Sequence, residues 1–187
     1  MTSALTVVAG VVLLASGVCL GVFFSTEREA WGRANDATIA LWALLMAPAA
    51  FEVYLRYGDR SRWVVGGLTA LALVGEIVVA ATSGLTAVGL LDWKLSAKIG
   101  SLGFCAFATW MAGVSGFVFA WGGLPRAFAW FGIVTLVLAV AAALLGLRHA
   151  RAGGLDEQRM PPPATSGILA LAFLCLVAWC VWLGVAL

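Results

Sequence analysis

Two carboxylates of this 187-residue chain stand inside long apolar runs, where an acidic group can carry a proton or a cation. Glu76 lies in the run Trp63–Thr82, about 5 Å from its midpoint at roughly 1.5 Å of rise per residue. A charge there is costly, roughly 2.5–3.5 kcal/mol on an insertion scale, and the nine Val, Leu and Ile residues of the run offset it. The run therefore inserts, and the folded helix is expected to hide the group. Glu52 lies in Ala37–Tyr57, about 7.5 Å from that run's centre and one turn beyond Pro48. Glu52 and Arg56 have i,i+4 spacing, which predicts an ion pair near the membrane surface. Glu76, Glu52 and Arg56 are the relay candidates.

Other chemistries fall to missing partners. His149 is the one histidine, so a haem held by two histidines is excluded. The four cysteines, Cys19, Cys105, Cys175 and Cys180, contain no C-x-x-C pair, and buried apolar thiols are expected. No phosphate-binding loop, H-E-x-x-H or other metal signature occurs, so no catalytic residue, metal or cofactor is assigned.

The elements that hold these residues follow from composition. Hydrophobic residues make up 63% of the chain and charged residues 11%, against about 45–50% and about 25% in soluble domains. A water-soluble fold is ruled out. With 11 Lys and Arg and a net charge of +2, there is no basic face for nucleic acid. A bilayer core about 30 Å thick needs about 20 apolar residues per helix. Six runs qualify, at 4–24, 37–57, 63–82, 99–121, 127–147 and 166–187. Val64–Val74 and Phe131–Leu147 are apolar on all sides, unlike the alternating strands of a membrane barrel. The expected fold is one all-α domain, a bundle of six transmembrane helices.

Residues 148–165, with Gly153-Gly154 and Pro161-Pro162-Pro163, are expected to form a flexible loop. Ser83–Lys98 suits a short interfacial helix, or an extension of the third helix. Trp31, Trp42, Trp63, Trp93, Trp121 and Trp130 fall near run ends and are expected to anchor in the headgroup layer.

Within the third run, Gly66, Thr69, Ala72, Glu76, Ala80 and Ser83 share one 120° arc, opposite Val64, Leu68, Leu71, Val74 and Val78. Glu76 is thus expected to face other helices, with the branched residues toward lipid. The fourth run has a stripe of small residues, Ser101, Cys105, Ala108, Thr109, Ala112, Ser115 and Gly116, backed by Phe107, Trp110 and Phe117. If the two helices are antiparallel neighbours, Thr109 reaches the depth of Glu76 and is its expected hydrogen-bond donor.

Two resemblances can be drawn from short motifs. Gly113-Val114-Ser115-Gly116 resembles the G-x-S-G of rhomboid intramembrane proteases, whose base is a His on the sixth helix; the run 166–187 has none, so Ser115 has no activating base. Gly123-Leu124-Pro125-Arg126 followed by Trp130, Gly132 and an apolar run to Leu147 is similar to the penultimate helix of uncharacterised multi-pass bacterial inner-membrane proteins. That likeness implies a bacterial inner-membrane location and transfers no functional residue.

Counting basic residues in short loops gives seven after helices one, three and five and four on the opposite side, Arg56, Arg60, Arg62 and Arg126. The larger group marks the cytoplasmic side and predicts both termini outside the cytoplasm. The expected partners are membrane lipids and other membrane subunits or a second copy. The first functional expectation is a non-enzymatic accessory or assembly subunit of a larger membrane complex. The second is a small ion- or proton-coupled transporter using an intramembrane carboxylate.

Overall fold

The structure, a computed structural model, describes residues 1–151 and 163–187, with side chains at 146–151 and 163–165 left aside. It is all-helical: α1 (Thr2–Thr26), α2 (Glu29–Tyr57), α3 (Arg62–Ala87), α4 (Trp93–Trp121), α5 (Arg126–Arg151) and α6 (Pro163–Ala186). All six are long and apolar enough to cross a membrane. No strand occurs among the described residues. The loop expected at 148–165 lies mostly outside them, between the end of α5 and the start of α6.

Each helix packs on the next in sequence, and α1 packs on α6, so the bundle closes into a ring. Short connections make consecutive neighbours antiparallel. The α1–α2 and α3–α4 turns therefore share one end, the first face, and the α2–α3 and α4–α5 turns share the other, the second face. Close backbone approach closes the seam between α1 and α6. A Cβ on Gly10 would lie 2.6 Å from a methyl of Val181, and one on Gly17 would lie 2.5 Å from the ring of Phe173. Gly21, which shares a G-x-x-x-G spacing with Gly17, faces open space.

Several helices run further than the apolar runs. α2 starts at Glu29, where Arg33 pairs with Glu29 at 2.7 Å, so polar turns precede the apolar segment. Trp42 consequently sits mid-helix and is buried in the core, instead of anchoring at an end. Ser83–Lys98 forms no separate interfacial helix. α3 continues to Ala87, and α4 starts at Trp93, capped by the Asp92 carboxylate, which accepts from the Lys94 and Leu95 amides. At the second face, Gly122 and Gly123 take left-handed backbone angles, φ 72° and 87°, which turn the chain from α4 into α5.

α3 presents the face that its side-chain sizes predict. Thr69, Ala72, Glu76 and Ser83 are buried, while Val64, Leu71 and Val74 are exposed. α4 is turned the other way from the expectation. Phe107, Trp110 and Phe117 are buried, whereas Ser101, Cys105, Thr109 and Gly116 lie on the outside and, of the expected stripe, Ser115 alone is fully buried. A ring of six helices leaves a centre that only large side chains fill, and the outward hydroxyls remain satisfied by their own helix. Thr109 donates to the Cys105 carbonyl at 2.8 Å and Ser101 to that of Lys98 at 2.7 Å.

Candidate functional site

The site forms around the inner stripe of α3. Thr69, Glu76 and Ser83 recur every seven residues, about 10.5 Å or two turns apart, and all three are buried. The direction of Glu76 follows from its neighbour. Gly75 and Gly103 bring α3 and α4 into backbone contact, and Glu76, about 100° further round, points past that contact into the ring centre.

Aromatic residues of α2, α4 and α6 fill the centre. Trp42 stacks on Phe104 with ring centroids 5.7 Å apart and meets Phe107 edge-on at 5.1 Å. Phe107 touches Trp110 at 5.4 Å and Trp179 at 6.2 Å, and Trp110 meets Trp179 edge-on at 5.8 Å. Phe128 of α5 stacks on Trp179 at 5.3 Å. Phe104 and Phe128 thus cover indole faces, and the N–H edges remain.

The polar atoms of this cluster lack partners. Both oxygens of Glu76, the indole nitrogens of Trp42, Trp110 and Trp179, and the Thr69 hydroxyl are shielded from solvent and make no hydrogen bond among the described residues. Leaving such a group unpaired costs about 1–3 kcal/mol, and more for a charged one. Edge-to-face rings give an indole N–H a weak partner in a neighbouring π face. The carboxyl has no such substitute. Glu76 is 3% exposed, and burial without a charged neighbour defines its setting. The Cys180 thiol of α6, fully buried, lies within electrostatic reach of Glu76 and beside the Trp42 indole, in a contact looser than a hydrogen bond.

The other expected site residues are dispersed. Thr109 points outward and is not brought to Glu76; the Gly75–Gly103 contact occupies the interface where the two would have met. Glu52 is half-buried and makes no pair with Arg56. The Arg56 guanidinium instead donates to the carbonyls of Ala186 at 3.1 Å, Leu187 at 3.4 Å and Gly123 at 3.4 Å. These carbonyls lie at or just past the ends of α6 and α4, where unpaired acceptors and the negative ends of helix dipoles compete with a carboxylate for the cation. Beside it the Tyr57 hydroxyl donates to Gly122 O at 2.7 Å. Arg56 and Tyr57 thus tie α2 to the ends of α4 and α6 at the second face.

Sequence reasoning passed over the first-face end of the site. Ser16 of α1 donates to the Asn35 side-chain oxygen at 2.7 Å, a buried bond between helices. The signal was available: Asn35, Trp42, Met46, Ala49 and Val53 follow one helical face. Ser115 is fully buried, donates to the Met111 carbonyl at 3.1 Å, and lies against Gly132 and Trp179, an environment with no base. Among the described residues no group of three His, Cys, Asp or Glu side chains could hold a metal.

No protein-family model, curated protein or solved structure matches this chain.

Proposed function

We propose that this protein is a small multi-pass transporter of the bacterial inner membrane, with both termini outside the cytoplasm, in which Glu76 binds and releases a proton as it carries a proton or small cation across. One observation carries the reading: the Glu76 carboxyl is buried among apolar and aromatic side chains, and among the described residues neither oxygen is hydrogen-bonded. A structural acid is retained in a core by its hydrogen bonds. A transported proton supplies the partner that the protein does not, neutralising the group each time it is loaded. The reading rests on Glu76 alone; Arg56 is engaged with backbone carbonyls.

The test is proton flux into liposomes containing the purified protein, followed with an internal pH dye under an imposed potential. Wild-type protein should conduct above empty liposomes, and Glu76→Gln should lower the flux at least tenfold. Flux unchanged by Glu76→Gln overturns the proposal.

The second reading, an accessory subunit of a membrane complex, draws on the outward stripe of α5, where Trp130, Val134, Val137 and Leu144 are exposed. Extraction in mild detergent separates the two. Stoichiometric co-purifying proteins support the subunit; a particle of this chain alone supports the transporter.

A further inference from the structure

We propose that Arg56 and Tyr57 form a gate closing the second-face end of the Glu76 site, and that Glu76 exchanges its proton with the first face, past Ser83 and the Ser16–Asn35 pair. The proposal rests on the transporter reading and adds a direction to it.

The two ends of the ring differ in construction. Toward the first face, four helices each place a buried polar side chain inside: Ser16 from α1, Asn35 from α2, Ser83 from α3 and Ser96 from α4. Ser83 is four residues from the end of α3 and Ser96 three from the start of α4, so both lie within about two turns of the surface. Ser83 then leads along the α3 stripe to Glu76, two turns deeper.

Toward the second face the way is shut. Arg56 reaches three carbonyls on two other elements, and Tyr57 a fourth. Under them lies an aromatic lid: Phe117 stacks on Trp121 at 5.0 Å, and Tyr57 touches Phe117 at 5.8 Å and Trp121 at 6.2 Å. Val53, Val65 and Val118, each at most 1% exposed, pack the space beneath. Thr69 and Ser115 lie behind the lid, and the other buried hydroxyls on this side, Thr6 and Thr135, are engaged with the Thr2 and Phe131 carbonyls of their own helices.

Among the described residues, the titratable and charged groups about the route include the following. Cys180 of α6 is near Glu76 itself. Asp36, half-buried beside Asn35, belongs to the first-face end of α2, and Arg56, Tyr57 and Glu52 to its second-face end. No charge stands between Ser83 and Glu76 on α3. The gate is held by hydrogen bonds to main-chain oxygens of the end of α6 and of the Gly122–Gly123 turn, so motion of either element opens it.

Sided labelling tests the proposal. In the full-length chain with its four cysteines replaced by alanine, Ser83→Cys and Ser115→Cys are exposed to a charged, membrane-impermeant methanethiosulfonate from either side of sealed vesicles of known orientation. Ser83→Cys should react from the first face at least tenfold faster than from the second, and Ser115→Cys from neither. Adding Arg56→Ala should make Ser115→Cys reactive from the second face. Tyr57→Phe, which removes one bond and keeps the ring, should do so more weakly, and it serves as the readout if Arg56→Ala fails to fold. Reaction of Ser115→Cys with the gate intact, protection of Ser83→Cys from both sides, or no opening in either gate variant overturns the proposal. Glu76→Gln flux is read separately. Its loss alongside unsided labelling removes the gate and keeps the transporter; its persistence removes the transporter whatever the labelling.

Discussion

Gly75 and Gly103 meet backbone to backbone: a Cβ on Gly103 would lie 2.6 Å from the Gly75 carbonyl oxygen, and one on Gly75 would lie 2.8 Å from that of Gly103. Neither obstacle is a flexible side-chain end, so a substituent must push α3 and α4 apart. Gly75→Ala and Gly103→Ala should each cost about 1–3 kcal/mol, the usual penalty for overpacking. Gly21→Ala, with nothing within 4 Å, is the matched control and should be neutral or slightly stabilising. Thermal unfolding of the three variants in one detergent checks the contrast. Equal midpoints for all three would remove the contact that aims Glu76 at the ring centre.

Glu76 should lower stability where it serves function. Its carboxyl is buried and unpaired, so Glu76→Met, of similar length and apolar, should stabilise the fold by about 1–3 kcal/mol while abolishing proton flux. Thermal midpoint and flux are measured on the same preparation. A fall in stability in Glu76→Met would mean that the carboxyl has a partner inside the bundle and acts as a structural acid.

The α3 face was legible in the sequence because side-chain size and polarity agree there: Thr69, Ala72 and Glu76 on one side, Val64, Leu71 and Val74 on the other. On α4 the same rule misleads. Small residues mark a face where two backbones touch, as at Gly103, but the rest of α4 looks into a wide centre that Phe107, Trp110 and Phe117 fill. Thr109 can face outward at little cost because its hydroxyl bonds the preceding turn. Helix ends were hidden for a different reason. Hydropathy registers the apolar span, whereas α2 begins with charged and amide residues from Glu29 to Asp36, and the loss of that turn concealed both Asn35 and the central position of Trp42. The Arg56 contacts join residues more than 60 positions apart, which no local spacing encodes.

The Ser16–Asn35 bond joins α1 to α2 in the core and should show up as coupling between its partners. Ser16→Ala removes the donor to the Asn35 Oδ1, and Asn35→Leu removes the acceptor of the Ser16 hydroxyl. A double-mutant cycle on thermal stability should therefore return an interaction of about 0.5–1.5 kcal/mol, with the double variant more stable than the two single losses predict. Strict additivity would place the two side chains apart and withdraw the polar inlet at the first face.

The cysteines offer a check on the rotation of α4 and α6 that is independent of function. Cys105 is exposed on the outer surface of α4, whereas Cys180 is fully buried against the centre of the ring. In detergent, a lipophilic maleimide should modify Cys105 within minutes and leave Cys180 intact until the protein is denatured, read as mass shifts of peptides. Cys175 and Cys180, five residues apart on α6, point in directions that differ by about 140° and should form no disulfide under mild oxidation. Rapid modification of Cys180 in the folded protein would turn α6 the other way, carrying Trp179 out of the aromatic cluster and removing the enclosure that keeps Glu76 dry.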